Sequence, residues 1–482
     1  MPRNSDTTTV PGAQATAPSQ PGLFSRGYLW VTIGACALVF LGAFESLAVT
    51  TIMPVVSTDL DGASLYALAF AGPLATGVIG MVIAGNWSDR SGPVAPLYTS
   101  SVLFAIGLLV AGTAVTMPVL VAGRLIQGLG TGAVTVALYV VVARVYPARL
   151  HPSIFAGFAA AWVIPSLVGP FAAGLVTELL SWHWVFLGVV GLVVLATAMV
   201  APALRGLSNQ DDSPNDADSD GTSDNAPTGH PTNGVARRAP WALGRITWAV
   251  VAAAAVLGLS LVSELDRIGL PLAAVAAVVA IVAVRPLLPH ATLLARRGLP
   301  SVILLRGLAA SAFFGAEVYL PYLLIDRYHF SPTLAGLALT LGALAWAGAS
   351  WLQGRLSETL RHATCTTVGS VLVLAAILAA LLTALLGMPP AVAIAGWVLG
   401  GGGMGLMYPR LSTLTLALST TGEQGFNSSA LAIGDSLGSA LALALTGVVF
   451  AGLSFAGVFA FAAIIAIAAI GVAPRVAVPT AP

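Results

Sequence analysis

Lysine is absent from this chain of 482 residues, so all 20 of its basic side chains are arginines. Charge of either sign is scarce: charged residues make up 8% of the sequence, against about 25% in an ordinary soluble domain. Together with 57% hydrophobic residues and a mean hydropathy of +0.92, that scarcity excludes a soluble globular protein and requires one that crosses a membrane many times. The net charge of +1 says nothing about partners, because in a membrane protein the placement of charges matters and their sum does not. Only two cysteines occur, Cys36 and Cys365, in separate segments, which excludes a disulfide framework and a cysteine metal site. Six histidines are scattered along the chain, and no loop carries a metal-ligand cluster, a phosphate-binding loop or a nucleophile elbow. The sequence therefore argues against an enzyme and requires no metal, cofactor or nucleic acid. The stretch MPRNSDTTTVPGAQATAPSQPG lacks the apolar core and small-residue cleavage site of a signal peptide, and residues 1–28 read as a disordered cytosolic tail.

What the chain has in abundance is long apolar runs. A helix rising 1.5 Å per residue needs roughly 20 apolar residues to cross about 30 Å of hydrocarbon. By that ruler six spans precede residue 203, near 29–54, 64–87, 95–115, 118–143, 153–176 and 183–203. Residues 204–245 then form an acidic cytosolic linker with almost no large apolar side chain in its centre. Its segment DADSDG, Asp216 to Gly221, opens like a calcium loop, but Pro227 stands where the closing Glu belongs, so it reads as solvated linker. Two Ala/Val-rich spans follow within 246–288, then six more within 300–473, near 300–325, 332–354, 364–387, 390–410, 427–450 and 453–473. A short tail, 474–482, ends the chain. The expected fold is an all-α polytopic membrane protein of two six-helix halves and two extra central helices, about 14 spans in all. With the N-terminus cytosolic, nearly every arginine outside the apolar runs falls on the cytosolic side. Arg267 and Arg327 fall outside, each beside an acid, Asp266 and Asp326. This asymmetry supports the count and places both termini in the cytosol, with the protein in the plasma (inner) membrane.

The loop GNWSDRSGPVAPL, Gly85 to Leu97, has a counterpart in GRLSETLR, Gly354 to Arg361, at the same point of the second six-span block. Such repetition suggests two halves related by an axis along the membrane normal, with a binding site between them. GNWSDRSG resembles the signature between helices 2 and 3 of the major facilitator superfamily, with Gly85, Asp89, Arg90 and Gly92 matching; Pro93 and Val94 replace its usual basic pair. RLIQGLGTG, from Arg124 through Gln127 and Gly128 to Gly132, resembles the helix-4 motif of proton-coupled members. VGPFAAG, with Gly169, Pro170 and Gly174, resembles the helix-5 motif associated with antiporters, with Ala173 where a second glycine is common. The six-two-six layout is similar to the fourteen-helix drug:proton antiporter branch. The resemblance implies a monomer that works by alternating access, driven by the proton motive force with no cofactor. Independently of it, glycine strips permit close helix packing, and Pro170 permits a bend.

Charges inside the apolar runs cost a few kcal/mol each and normally face a bundle interior or a wet cavity. Glu45 lies nine residues before Pro54, read as the outer end of the first span, and Arg124 lies six residues into the fourth, so the two share a depth. Glu317 lies nine residues before Asp326 and corresponds to Glu45 in the second half. Asp435 enters its span from the cytosolic side, and Arg306 is expected to snorkel to the cytosolic surface. Desolvation favours a protonated carboxyl group and a nearby arginine an ionised one, so Glu45, Glu317, Arg124 and Asp435 are the candidate proton-coupling residues. Structural alternatives are an inert Glu45–Arg124 ion pair and an Asp435 that only ties two helices. Phe44, Trp162, Phe313, Phe314, Tyr319 and Tyr322 are candidates to line a cavity for flat apolar compounds. Asp89 and Arg90 read as a cytosolic latch between the halves.

The sequence thus predicts a proton-coupled exporter of lipophilic, cationic small molecules, with substrate, protons and membrane lipids as its partners. A lipid or metabolite carrier of the same fold, or a symporter, is the alternative reading.

Overall fold

The computed structural model describes residues 22–147, 150–211, 243–261, 269–355, 361–420 and 423–477. The N-terminal 21 residues, the centre of the acidic linker with its DADSDG segment, and part of the second-half loop GRLSETLR lie outside the described residues. The first block comprises α1 (Leu29–Asp59), α2 (Tyr66–Ser91), α3 (Val94–Gly112), α4 (Met117–Val145), α5 (His151–Leu179) and α6 (His183–Asp211). Two intermediate helices follow, α7 (Leu243–Leu261) and α8 (Gly269–Val284). The second block comprises α9 (Leu299–Glu317), α10 (Tyr319–Tyr328), α11 (Pro332–Arg355), α12 (His362–Leu386), α13 (Pro390–Ala417) and α14 (Gln424–Val472). Among the described residues, 12 helical stretches are long and apolar enough to cross a membrane. The end of the bundle at which α1 starts is called proximal below, and the opposite end distal.

Proline chemistry accounts for several boundaries. Pro54, expected to end the first span, lies inside α1, which continues to Asp59. Pro321 has no N–H to donate to the Glu317 carbonyl four residues earlier, and its ring crowds that carbonyl. The seventh span of the two six-span blocks accordingly breaks there, into α9 and α10. The α6 helix runs to Asp211, beyond the residue-203 boundary expected from apolarity, because helical geometry persists into the polar segment. The last stretch, Phe426–Val476, has 51 residues, roughly 75 Å of helix and more than twice a hydrocarbon core. It breaks at Ser454, whose φ of 56° lies in the left-handed region. Beyond the break the chain returns to the proximal end, where Ala473 O accepts from Thr366 Oγ1 at 3.2 Å and Arg475 O from Gly298 N at 3.0 Å.

The two blocks repeat one packing scheme. In the first, α4 packs on both α2 and α3; in the second, α13 packs on both α11 and α12. Close approach depends on glycine: a Cβ on Gly132 would sit 2.1 Å from the Gly77 carbonyl oxygen, and one on Gly401 2.0 Å from that of Gly342. The blocks meet where α5 packs on α11 and α2 on α14, while α7 contacts both α2 and α14 and so lies across the second seam. At the proximal end of α2, Gly92 turns the chain with a φ of 77°, one residue after Ser91, and Asp89 and Arg90 occupy the last helical turn.

Candidate functional site

Three acids within the helices, Glu45 buried and Glu317 and Asp435 half-buried, sit in three different settings. In the first block, Glu45 of α1 and Arg124 of α4 are each 4% exposed and form an ion pair through Glu45 Oε1 and Arg124 Nη1. The guanidinium is also held by its own surroundings: Nε donates to Ala69 O at 3.1 Å, and Nη1 to Gln127 Oε1 at 2.9 Å. A buried ion pair is tolerated when further hydrogen bonds support it, and here one main-chain and one side-chain oxygen accept from Nε and Nη1. Matched depth along two helices, legible in the sequence, is what brings Glu45 and Arg124 together.

In the second block, Asp435 of α14 pairs with Arg306 of α9 at 2.8 Å. The same Asp435 Oδ1 accepts from Tyr408 Oη at 2.8 Å, and the Arg306 guanidinium carbon lies 3.5 Å from the centre of the Tyr408 ring. Arg306 therefore does not snorkel to the surface. The carboxylate across the helix pair and the aromatic face beneath hold it inside, at lower cost than the reach to the headgroups.

Glu317 differs from both. It occupies the last position of α9, at the break imposed by Pro321, and no basic side chain among the described residues pairs with it. Its carboxyl group interacts with the side chain of Trp397 on α13. The Trp397 indole Nε1 is itself buried without a hydrogen bond of normal geometry, so the two groups are close but not tightly bonded. Aromatic rings surround this corner. Trp397 stacks on Phe313 at 4.8 Å, Trp346 meets Tyr408 edge-on at 5.1 Å, and Phe314 stacks on Trp346 at 6.3 Å. Trp346, Trp397, Tyr408 and the role of Arg306 were not singled out from sequence; polar-tipped aromatics at glycine-rich positions of α11 and α13 were the available signal.

Of the aromatic residues expected to line a cavity, Phe313 and Tyr319 are instead core, 2% and 1% exposed. Phe313 is covered by Trp397 and by the glycine face of α13 at Gly400, and Tyr319 by Tyr66 and Phe450. Phe44 lies against Gly169 of α5, Trp162 is exposed on α5, and Tyr322 belongs to a distal aromatic cluster. That cluster closes the distal end. Tyr66 of α2 packs on Tyr322 at 4.9 Å and donates its hydroxyl to Val318 O at 2.8 Å, the carbonyl next to Glu317. Beside it, Gly174 of α5 abuts the backbone of Pro332 and Thr333, Pro170 lies against Gly336, and Glu178 accepts from Thr333 N at 2.9 Å. The α5 motif thus packs the two blocks together at the distal end. Among the described residues no group of His, Cys, Asp and Glu is arranged to hold a metal ion.

Two repeated six-helix blocks, apolar outside and each with an ion pair inside it, define a multi-span membrane transporter. A profile of the Major Facilitator Superfamily matches residues 35–414, and the chain belongs to that superfamily. It is 27% identical over 171 residues to the multidrug efflux pump SdrM of Staphylococcus aureus, covering 35% of this chain and 38% of that one. Multidrug resistance protein 3 of Bacillus subtilis is 29% identical over 157 residues, 33% of this chain and 31% of the relative. The matches thus span about a third of the length of these relatives. Among solved structures, a peptide transporter in complex with sulfate superposes with a TM-score of 0.63 at 14% identity, covering 95% of this chain and 96% of that one. The xylose transporter XylE of E. coli gives a TM-score of 0.58 at 14% identity, covering 92% of this chain and 97% of that one. At such identity the likeness concerns the fold alone.

Proposed function

We propose that this transporter exports lipophilic organic cations in exchange for protons, and that Glu317 is the group at which proton and cation alternate. The observation that carries the reading is the lone acid: Glu45 and Asp435 each have an arginine partner, and Glu317 has none among the described residues. A carboxylate enclosed by aromatic rings and without a counter-ion has two ways to be neutralised, by a proton or by a cationic ligand. Those two occupants exclude one another, which is the thermodynamic requirement for exchange. The half-buried rings of Trp346 and Phe314 beside Glu317 suit a flat or bulky apolar cation.

The distal end is taken as the outer face, closed in this conformation by the Tyr66 cluster. Fourteen crossings follow if the stretch broken at Ser454 counts as two and the shorter apolar helix Pro271–Leu287 as one, added to the other eleven stretches. Both termini then lie in the cytosol, the setting is the plasma membrane, and the protein works as a monomer that needs no cofactor beyond the proton gradient. The efflux pumps among its relatives support export over import.

The test is transport in proteoliposomes. With an imposed proton gradient, wild-type protein is expected to move ethidium against its concentration gradient. The Glu317→Gln variant is expected to lose gradient-driven accumulation by at least about tenfold while remaining folded. Wild-type rates in Glu317→Gln, with the same dependence on the gradient, would refute the assignment.

A further inference from the structure

The α4 and α13 helices correspond residue for residue. Gly123-Arg124-Leu125-Ile126-Gln127-Gly128-Leu129-Gly130-Thr131-Gly132 aligns without gaps on Gly396-Trp397-Val398-Leu399-Gly400-Gly401-Gly402-Gly403-Met404-Gly405. The packing bears the alignment out position by position. Gly123 and Gly396 pack on the preceding helix at Ala111 and Ala376. Gly130 and Gly403 pack on that same helix about two turns away, at Phe104 and Gly369. Gly128 and Gly401 meet α2 at Pro73 and α11 at Gly342, while Gly132 and Gly405 meet the same two helices at Gly77 and Trp346. In this register Trp397 takes the place of Arg124, and each faces the glutamate of its own block, Glu317 and Glu45.

We infer that Trp397 is a specificity-determining residue, the neutral replacement for a counter-ion that leaves Glu317 free to take a proton or an organic cation. The inference rests on the exchange role proposed for Glu317 and adds what sets it. An arginine at this position neutralises its glutamate permanently, as Arg124 does, and repels any second cation. An indole keeps the volume filled, carries no charge, and donates one weak N–H. Trp397 is fully buried, stacked on Phe313 at 4.8 Å, with its N–H otherwise unpartnered. A tryptophan N–H left without a bond inside an apolar core costs free energy unless a ligand or a nearby carboxylate uses it. Trp397 acts through Glu317, so it is a positioning residue rather than a group that carries the proton.

The experiment is equilibrium binding of tetraphenylphosphonium to purified full-length protein across pH 5 to 9, for wild type, Trp397→Phe and Trp397→Arg. Wild type is expected to bind more tightly as pH rises and Glu317 deprotonates. Trp397→Phe keeps the ring and removes the N–H that favours the ionised carboxylate, so its midpoint should move to higher pH by about 0.5 to 1 unit. Trp397→Arg should lose at least about tenfold in affinity and become flat with pH. A purely structural role would lower thermal stability in both variants and leave the midpoint in place. An unshifted midpoint in Trp397→Phe therefore overturns the inference even if Trp397→Arg fails to fold. Flat binding in the wild type would overturn the exchange role of Glu317 itself, which separates the two failures.

Discussion

At the scale of the residue, the account turns on how each buried charge is compensated. Glu45 and Arg124 satisfy one another, so removing one partner strands the other in a dry interior. Arg124→Met is expected to cost about 3 to 5 kcal/mol of stability, and the double variant Glu45→Gln with Arg124→Met to recover most of it. Thermal unfolding in detergent, read as the monodisperse fraction remaining, checks both. The sequence disclosed these acids and Arg124, because a charge in an apolar run is conspicuous and depth can be counted along a helix. It did not disclose that Arg306 would turn inward to Asp435 and Tyr408, or that Phe313 and Tyr319 would be core. Those outcomes depend on which face of a helix meets which neighbour, and in a chain apolar on all sides no periodicity marks the face.

Elements are governed by glycine and proline. Helix separation in both blocks is set by pairs such as Gly132 with Gly77 and Gly401 with Gly342, where carbonyl oxygens leave no room for a methyl group. Gly401→Val is therefore expected to force α13 from α11 and yield little folded protein on size exclusion, whereas Gly402→Ala, with open space at its Cβ, should behave as wild type. The α4 glycines were legible as a motif. Their counterpart in α13 was obscured because the charged member of the motif had become tryptophan, and a run of glycines alone carries little information in so glycine-rich a chain. The break after Glu317 follows from Pro321, which leaves the Glu317 carbonyl without its helical donor, and at that break the Val318 carbonyl accepts from Tyr66. The helix break thus adjoins the distal closure, since the carbonyl that Tyr66 grips belongs to the residue after Glu317. Pro54, by contrast, was taken as a helix end and proved to be an interior position, which sequence distance alone does not decide.

For the whole molecule, two repeated blocks meeting at α2–α14 and α5–α11 permit one to rock against the other about a central site. The distal contacts at Tyr66, Gly174, Pro332 and Glu178 must part for the site to open on that side. A short thiol-to-thiol cross-link between Glu178→Cys and Thr333→Cys, with Cys36 and Cys365 replaced by Ala, is expected to stop transport by more than about tenfold. Cleaving the linker should restore it, and cross-linked protein that still transports would show that these contacts are not the gate. That the chain is a succession of membrane-crossing helices was readable from length and composition because hydrocarbon thickness dictates helix length, and 12 stretches of that length stand among the described residues against the fourteen expected. The way α7 bridges α2 and α14 was not, since nothing in its sequence names its neighbours.

The most direct test of the central claim is substrate-evoked proton release by purified protein in lightly buffered detergent solution, comparing wild type, Glu317→Gln and Glu45→Gln. Adding tetraphenylphosphonium should release protons from the wild type and from Glu45→Gln, and none from Glu317→Gln. Undiminished release from Glu317→Gln, with its loss in Glu45→Gln, would contradict the account and move the exchange site to the first block.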